Sequence, residues 1–124
     1  MKVSKLERSG ARPTSEPQHF EGAVFNQQLV SADDSQEVTL LAVFFENGAR
    51  TRPHVHTTDQ VLAVVEGTCV VADRSGQREL RAGESALIRA GEWHWHGAAP
   101  GTSACHISIR KPGPTDWEVA KDGW

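Results

Sequence analysis

Short apolar segments of strand length recur along the chain from Phe20 onward, separated by sequences that turn the backbone tightly. The segments are rich in Val, Ile, Thr and Phe, which favour strands, and none of the intervening sequence shows helical periodicity over the length of a helix. Strands at this spacing predict an antiparallel sandwich or barrel and argue against a parallel α/β sheet. The predicted strands cover residues 22–26, 37–45, 60–66, 68–73, 79–80, 85–89 and 103–110.

The 124 residues fit one domain, which the strand pattern separates from two terminal segments. Residues 1–19 contain proline, glycine and hydroxyl residues without periodicity, so we predict an irregular N-terminal arm. Residues 20–112 form the predicted β-domain. Residues 113–124 form a C-terminal tail, in which the segment from Thr115 to Glu118 matches a capping box and predicts one short helical turn.

The charge balance argues against a nucleic-acid partner. Thirteen Lys and Arg against 16 Asp and Glu give a net charge of −3, and the basic residues are scattered rather than clustered. No window approaches the roughly 18 apolar residues of a membrane span, so we expect a cytoplasmic protein without membrane contact. Cys69 and Cys105 are far apart and lie in apolar segments, which predicts buried free thiols.

Five of the six histidines fall between residues 54 and 106. His54 and His56 are two residues apart, so an extended strand points both imidazoles to the same face, where they can bind one metal ion. His94 and His96 repeat this spacing, and Gln60 adds an amide oxygen close to the first pair. Helical and cysteine-based zinc motifs are absent. The pattern predicts a strand-borne metal site; the alternative is a set of hydrogen-bonded histidines in a polar pocket or in loops.

Two glycine-bounded motifs resemble those of a known superfamily. Gly48, His54-x-His56, Gln60 and Gly67 follow the spacing G-x5-H-x-H-x3-E-x6-G, which is the first motif of the cupins, with glutamine in place of the glutamate. The match of both spacing and residue type makes this motif specific.

The second cupin motif, G-x5-P-x-G-x2-H-x3-N, is matched by Gly83, Gly91 and His94. Arg89 replaces the proline and Ala98 replaces the asparagine. The resemblance implies a single small antiparallel β-barrel of jelly-roll type, in agreement with the strand pattern.

The resemblance also implies a metal site with four ligands, His54, His56, Gln60 and His94. Three neutral imidazoles and a neutral amide leave the 2+ charge of an ion uncompensated, so the ion is held less tightly but is a stronger Lewis acid. These donors accept Mn, Fe, Ni, Co or Zn. The set also differs from the two-His-one-carboxylate site of many iron oxygenases.

A narrower resemblance lies in the second half of the chain. Residues 94–100 (HWHGAAP), together with Gln60, His106 and the Asp-Trp pair at 116–117, are similar to the small bacterial cupins with manganese-dependent hydroxynitrile lyase activity. This similarity implies manganese at the site and His106 as the acid/base. His96 is then either a second proton relay or a residue that orients its loop through a backbone carbonyl.

The last predicted strand is consistent with this role for His106. Ala104, His106 and Ser108 are small or polar, whereas Cys105 and Ile107 between them are apolar. One face of the strand is therefore not built for apolar packing. Beside a dication an imidazole is disfavoured in its protonated form and stays available as a base. The alternative is that His106 only packs or orients other groups.

The resemblance implies a metal-dependent enzyme that reversibly cleaves a small cyanohydrin to an aldehyde and cyanide. His106 would remove the hydroxyl proton while the metal stabilises the alkoxide or the cyanide. The alternatives are a metal-dependent dioxygenase or isomerase acting on a small oxygenated compound, and a non-catalytic cupin that binds a metal or small ligand. The resemblance further implies a homo-oligomer, either a dimer or a tetramer.

Overall fold

The computed structural model describes residues 1–124 and consists of strands and two 3-10 turns, which span Arg8–Gly10 and Pro17–His19. The predicted all-β class is therefore confirmed. The thirteen strands are β1 (Arg12–Pro13), β2 (Phe20–Glu21), β3 (Val24–Val30), β4 (Thr39–Phe45), β5 (Arg50–Thr51), β6 (Val55–His56), β7 (Gln60–Glu66), β8 (Thr68–Asp73), β9 (Gly76–Arg81), β10 (Ser85–Ile88), β11 (His94–Ala98), β12 (Ala104–Arg110) and β13 (Thr115–Asp116).

The strands form two antiparallel sheets that face each other. One sheet has six strands in the order β1-β3-β4-β12-β7-β10, and the other has five in the order β2-β5-β11-β8-β9. Strands β6 and β13 form a third, two-stranded ladder. Neighbours that are distant in sequence, such as β4 and β12, make this a jelly-roll arrangement rather than a series of hairpins.

Alternation along β4 separates the interior of the barrel from its outer surface. Val43 and Phe45 point inward and pack in a cluster that both sheets contribute to, together with Val64 and Cys69. Phe44 points outward and packs in a second cluster, which residues of the N-terminal arm cover. The pattern of two adjacent phenylalanines does not itself choose between these two faces.

The N-terminal arm is irregular for most of its length, but it also extends the six-stranded sheet. Arg12 and Pro13 pair with Asn26 and Phe25 of β3, so β1 becomes the edge of the sheet. Proline suits this position because an edge strand has one side without hydrogen-bond partners.

The C-terminal tail contains a strand where the sequence predicts a helical turn. Thr115 and Asp116 pair with His56 and Val55 of β6. The Asp116 side chain accepts a hydrogen bond from the backbone N–H of Glu118 at 2.9 Å. A hydrogen bond from a backbone N–H to an Asp side chain two residues earlier closes an Asx turn. The polar residues that suggest the start of a helix therefore form a turn instead.

Both cysteines are free and buried, as the sequence predicts. Cys69 lies in the inner cluster and Cys105 in the outer one. Burial raises the pKa of each thiol to about 12, which keeps both protonated and unreactive at neutral pH. No helix of the structure has the length and apolarity that a membrane crossing requires.

Candidate metal centre

A short backbone pairing brings the first two predicted ligands together. His54 and His94 form an isolated antiparallel bridge, with N–H to carbonyl distances of 3.0 and 3.2 Å in the two directions. Their ring centroids are 4.3 Å apart. His56 follows on the same face of the chain, so one backbone contact organises three imidazoles.

The structure brings all four predicted ligands into one buried cluster. One ring nitrogen from each of His54, His56 and His94 lies within 4.8 Å of the other two. The Gln60 Oε1 atom lies 3.2 Å from His94 Nε2. The four side chains belong to buried residues, with 6% exposure or less. These three histidines can hold a divalent metal ion.

Hydrogen bonds at the opposite ring nitrogens fix the orientation of the imidazoles. The Nδ1–H of His54 donates to the carbonyl of Arg52 at 2.8 Å, and the Nδ1–H of His94 donates to the carbonyl of Glu92 at 2.9 Å. Because a carbonyl only accepts, each Nδ1 carries the hydrogen and each Nε2 keeps a free lone pair. This is the arrangement that metal-binding histidines use.

His56 is oriented by the C-terminal tail. Its Nδ1 lies 2.9 Å from the hydroxyl oxygen of Thr115. Its Nε2 is buried and has no hydrogen-bond partner. A buried nitrogen without a partner is costly, and a metal ion compensates that cost.

The amide of Gln60 presents its oxygen to the cluster. Its Nε2 donates to the Ser108 hydroxyl at 2.7 Å, which leaves Oε1 facing His94 Nε2. Two acceptors then lie 3.2 Å apart in a buried site, where they repel each other unless a cation is bound. The donor set therefore fits a metal ion.

Burial keeps the three imidazoles neutral, which metal binding requires. It lowers the pKa of His54 well below its usual value and also lowers that of His94. Burial, with smaller effects from the Arg110 guanidinium and His94, lowers the pKa of His56 to about 3.

The two predicted catalytic histidines form a hydrogen-bonded pair inside the barrel. His106 Nε2 and His96 Nδ1 are 2.9 Å apart. The outer nitrogens of the pair, His96 Nε2 and His106 Nδ1, are buried without a partner. Burial lowers the pKa of His106 to about 4 and that of His96 well below its usual value, so the pair is neutral at pH 7. The bond of His96 to a backbone carbonyl, one of the two predicted roles, is replaced by this side-chain pairing.

A cavity of about 190 Å³ adjoins the cluster. His54, His56, Gln60 and His96 line it, whereas His106 lies behind His96. The His96 ring is 5.3 Å from that of His54, between centroids. His96 is therefore the histidine of the pair that faces both the cavity and the candidate metal ligands.

Two residues of the cavity wall are assigned no functional role from the sequence. Trp117, in the C-terminal tail, lies 4.3 Å from the His54 ring and stacks on His19 at 4.0 Å, between ring centroids. Arg110, at the end of β12, also lines the cavity. Arg110 lies four residues after His106 on the same strand, so the alternation of side chains places it on the same inward face, and the sequence indicates this. In contrast, no local sequence pattern predicts that the tail folds back over His54.

The outward side of β11 is apolar. Trp95 packs with Val70, Ala72 and Ala99 on the outer surface of the five-stranded sheet. Trp93 is packed against this cluster and donates its indole N–H to the carbonyl of Ala120 at 2.7 Å. Neither tryptophan lines the cavity.

Comparison with solved structures supports the fold. A cupin-like protein from Thermotoga maritima superimposes with a TM-score of 0.81 and 32% sequence identity, over 95% of this chain and 90% of that one. The polyketide cyclase RemF from Streptomyces resistomycificus superimposes with a TM-score of 0.77 over 97% of this chain and 88% of the other. Its identity of 18% supports the fold alone.

Sequence comparison points to the same group. An (R)-mandelonitrile lyase from Granulicella tundricola is 40% identical over 94 residues, which cover 74% of this chain and 71% of that protein. The sequence profile of the Cupin domain matches residues 41–109, the part that holds the four candidate ligands and the histidine pair. With the jelly-roll sheets and the three-histidine cluster, these similarities show that the chain belongs to the cupin family.

Proposed function

We propose that this chain is a metal-dependent lyase that reversibly cleaves a small cyanohydrin into an aldehyde and hydrogen cyanide. The observation that carries the proposal is the unpartnered Nε2 of His96, which is buried beside the candidate metal ligands and belongs to a residue of the cavity wall. The 40% identity to a protein named (R)-mandelonitrile lyase supports the same reaction class.

The residues that would hold the ion are His54, His56, Gln60 and His94, and we propose manganese as the physiological metal. When bound, the ion supplies Lewis acidity toward the oxygen or the cyanide of the substrate. The chain contributes four neutral donors, so none of the ion's charge is cancelled by the ligands.

We assign the proton transfer to His96, with His106 acting through it. When His96 Nδ1 carries the hydrogen and donates it to His106 Nε2, the Nε2 atom of His96 is bare and can accept the hydroxyl proton. The pair then holds one additional proton. Cleavage of the C–C bond leaves an aldehyde and cyanide, and His96 returns the proton to the cyanide.

His106 is a positioning residue in this scheme. Its Nε2 fixes the orientation of the His96 ring, and its own ring is packed against Phe45 at 5.2 Å between centroids. Removing His106 therefore leaves His96 in the cavity but frees its ring to rotate. We expect a smaller loss of rate than removal of His96 causes.

The apolar part of the cavity wall suits a small aldehyde. Phe20, Leu41, Val43 and Trp117 are its apolar residues. The volume of about 190 Å³ is below the roughly 300–1,000 Å³ of drug-sized pockets, which favours a compact substrate.

The test begins with elemental analysis of the untagged protein, beside His54→Ala and His96→Ala. We expect about one metal ion per chain in the wild type and in His96→Ala, and loss of metal in His54→Ala. Anaerobic cleavage of a cyanohydrin by the manganese-loaded protein should fall about 10²–10⁴-fold in His96→Ala.

Each variant controls for the other, because one changes metal content and the other does not. Full activity in His96→Ala would contradict the assignment of the proton transfer. A requirement for oxygen would favour the dioxygenase alternative, and metal binding without any cleavage would favour a binding protein. Light scattering on the same samples tests the predicted homo-oligomer.

A further inference from the structure

Arg110 occupies an unusual position for a cation. It is the last residue of β12 and pairs in register with Gln60 of β7, one of the four candidate ligands. Paired residues on neighbouring antiparallel strands have Cα atoms about 4.5–5.5 Å apart. The guanidinium-bearing residue is half-buried and lines the same cavity as His54 and His96.

No acidic side chain neutralises Arg110. None of the ion pairs of the structure includes it, and the one hydrogen bond of its guanidinium runs from Nη1 to the carbonyl of Gly113 at 3.1 Å. A guanidinium has five N–H donors and stays protonated in proteins. Most of its donor capacity therefore has no carboxylate partner within the chain.

The rest of the cavity wall does not supply the missing charge. Glu16 is its only acidic residue, and its carboxylate lies 3.3 Å from His19 Nδ1 with 62% of the side chain exposed. The other polar side chains of the wall carry no negative charge; they are Thr14, Ser15, Asn26, Thr51, Gln60, Ser108 and Thr115 with the three histidines. The cavity also adjoins a donor set that fits a cation. The Arg110 guanidinium together with a cation bound by that set would place two positive charges in a partly buried site, which favours an anionic ligand.

We propose that Arg110 is a specificity-determining residue that binds a carboxylate of the substrate, so that the preferred substrate is a small carbonyl compound or alcohol bearing a carboxylate. The identity of the substrate as a lyase substrate rests on the proposed function, whereas the binding of a carboxylate by Arg110 does not. The planar guanidinium offers two parallel N–H donors, which match the two oxygens of a carboxylate.

The register of the strands also limits the substrate's length. Because Arg110 and Gln60 are paired in register and line the same cavity, a carboxylate bound by Arg110 shares that cavity with the amide that faces the candidate metal site. A hydroxyl or carbonyl near that site then lies only a few bonds from the carboxylate. The cavity of about 190 Å³ accommodates a compact acid of this kind.

The first experiment measures binding without metal or turnover. 4-Hydroxybutyrate is titrated into chelator-treated wild type, Arg110→Gln, Arg110→Lys and Arg81→Gln, with butan-1-ol as the neutral probe. Arg81 is an exposed arginine outside the cavity and serves as the matched control. We expect Arg110→Gln to weaken binding of the acid about 10–100-fold, the effect of losing a hydrogen bond to a charged group.

Arg110→Lys should give an intermediate loss, because it keeps the charge but not the planar pair of donors. It also provides a second variant if Arg110→Gln is unstable. Arg81→Gln should bind as the wild type does. Equal affinity of wild type and both Arg110 variants for the acid would overturn the proposal.

The second experiment compares cleavage of two cyanohydrins by the manganese-loaded protein, one from succinic semialdehyde and one from butanal. We expect a lower KM for the acidic substrate, and an increase of that KM alone in Arg110→Gln. Cleavage of both with equal KM would overturn the role of Arg110 while the lyase function stands. If neither cyanohydrin is cleaved but binding of the acid depends on Arg110, the lyase function is overturned and the proposed carboxylate-binding site stands.

Discussion

The two ends of the barrel interior are built on the same strands but differ in chemistry. On β7 the inward residues change from Gln60 to Val64, and on β11 they change from His94 to Ala98. On β12 they run from the cavity-lining Arg110 and Ser108, through His106, to Ala104 in the inner cluster. A single alternation thus forms a core at one end and a polar site at the other, and only the side-chain chemistry distinguishes them.

The two ends also differ in what burial contributes to stability. At the apolar end, packing of Phe45, Val64 and Cys69 is favourable without further partners. At the polar end His56, His96 and His106 each keep a buried ring nitrogen without a partner. Such atoms cost about 1–3 kcal/mol each, so the polar end is maintained at the expense of stability that the apolar end supplies.

The largest stability effect is expected at the apolar end. Phe45→Ala should lower the free energy of unfolding by about 3–5 kcal/mol, because Phe45 is 1% exposed and its removal leaves a cavity. Denaturant unfolding of the chelated protein measures this. Phe25→Ala, on the outer face of β3 and only half-buried, is the matched control and should cost less. Loss of metal binding from folded Phe45→Ala would show that the two ends are not independent.

Acidification should affect the polar end selectively. The unfolded chain protonates each histidine near pH 6.5, whereas the folded protein protonates His106 only near pH 4 and His56 near pH 3. Between these values the unfolded state binds more protons, so stability falls as the pH is lowered. The slope is about 1.4 kcal/mol per pH unit for each such histidine.

The polar end and the apolar outer cluster give different signatures in this titration. The free energy of unfolding of the metal-free protein is measured between pH 4 and pH 7. In His106→Phe its slope against pH should be smaller than in the wild type by the amount that corresponds to about one proton. Phe44→Ala, in the outer cluster, should lower stability at every pH while leaving the slope as in the wild type. An unchanged slope in His106→Phe would mean that His106 is not held neutral in the fold.

The next largest effect is expected on metal affinity, when the contact between the C-terminal tail and His56 is removed. Thr115→Val keeps the shape of the side chain but removes the hydroxyl that lies 2.9 Å from His56 Nδ1. Loss of such an orienting partner typically weakens metal affinity about 10–100-fold. Competition with a chromogenic chelator measures the change.

Thr102→Val is the control for this prediction. The Thr102 hydroxyl donates to the carbonyl of Ala99 at 2.8 Å, in a turn outside the cavity wall. Its removal should leave metal affinity unchanged. Equal effects of the two substitutions would assign the role of Thr115 to general packing rather than to the histidine.

The sequence predicts the central strands well and the peripheral ones poorly. Strands β7 and β8 match the predicted residues 60–66 and 68–73 at both ends, because each is a short apolar run that stops at turn residues. Strand β9 runs over Gly76–Arg81, although only residues 79–80 are predicted. It is mostly exposed and polar, and its strand conformation comes from pairing with β8, which local sequence does not reveal.

The candidate ligands are predictable for a different reason than the cavity wall. His54, His56 and His94 lie at spacings that recur in a known family, and the structure brings them together as that resemblance implies. Thr115 and Trp117 reach the site only because the tail pairs with β6, and the local pattern there favours a helical turn instead. Contacts of this kind depend on long-range pairing, which spacing within one segment does not encode.

The smallest effect is expected for Gln60→Glu, which changes charge but little else. The Ser108 hydroxyl, which now accepts from the Gln60 amide at 2.7 Å, can rotate to donate to a carboxylate, so the hydrogen bond is preserved. The new carboxylate cancels one unit of the ion's charge. We therefore expect metal affinity to rise about tenfold and the rate of cyanohydrin cleavage to fall, because the ion becomes a weaker Lewis acid.

The control for Gln60→Glu is Gln77→Glu, which adds the same net charge on the exposed strand β9. Equilibrium chelator competition and initial rates under saturating metal measure the two effects separately. Tighter binding with slower cleavage in Gln60→Glu, and neither change in Gln77→Glu, would locate the effect at the polar end of the barrel. If affinity and rate are unchanged in Gln60→Glu, the amide does not tune the ion, and the polar end depends on its three histidines alone.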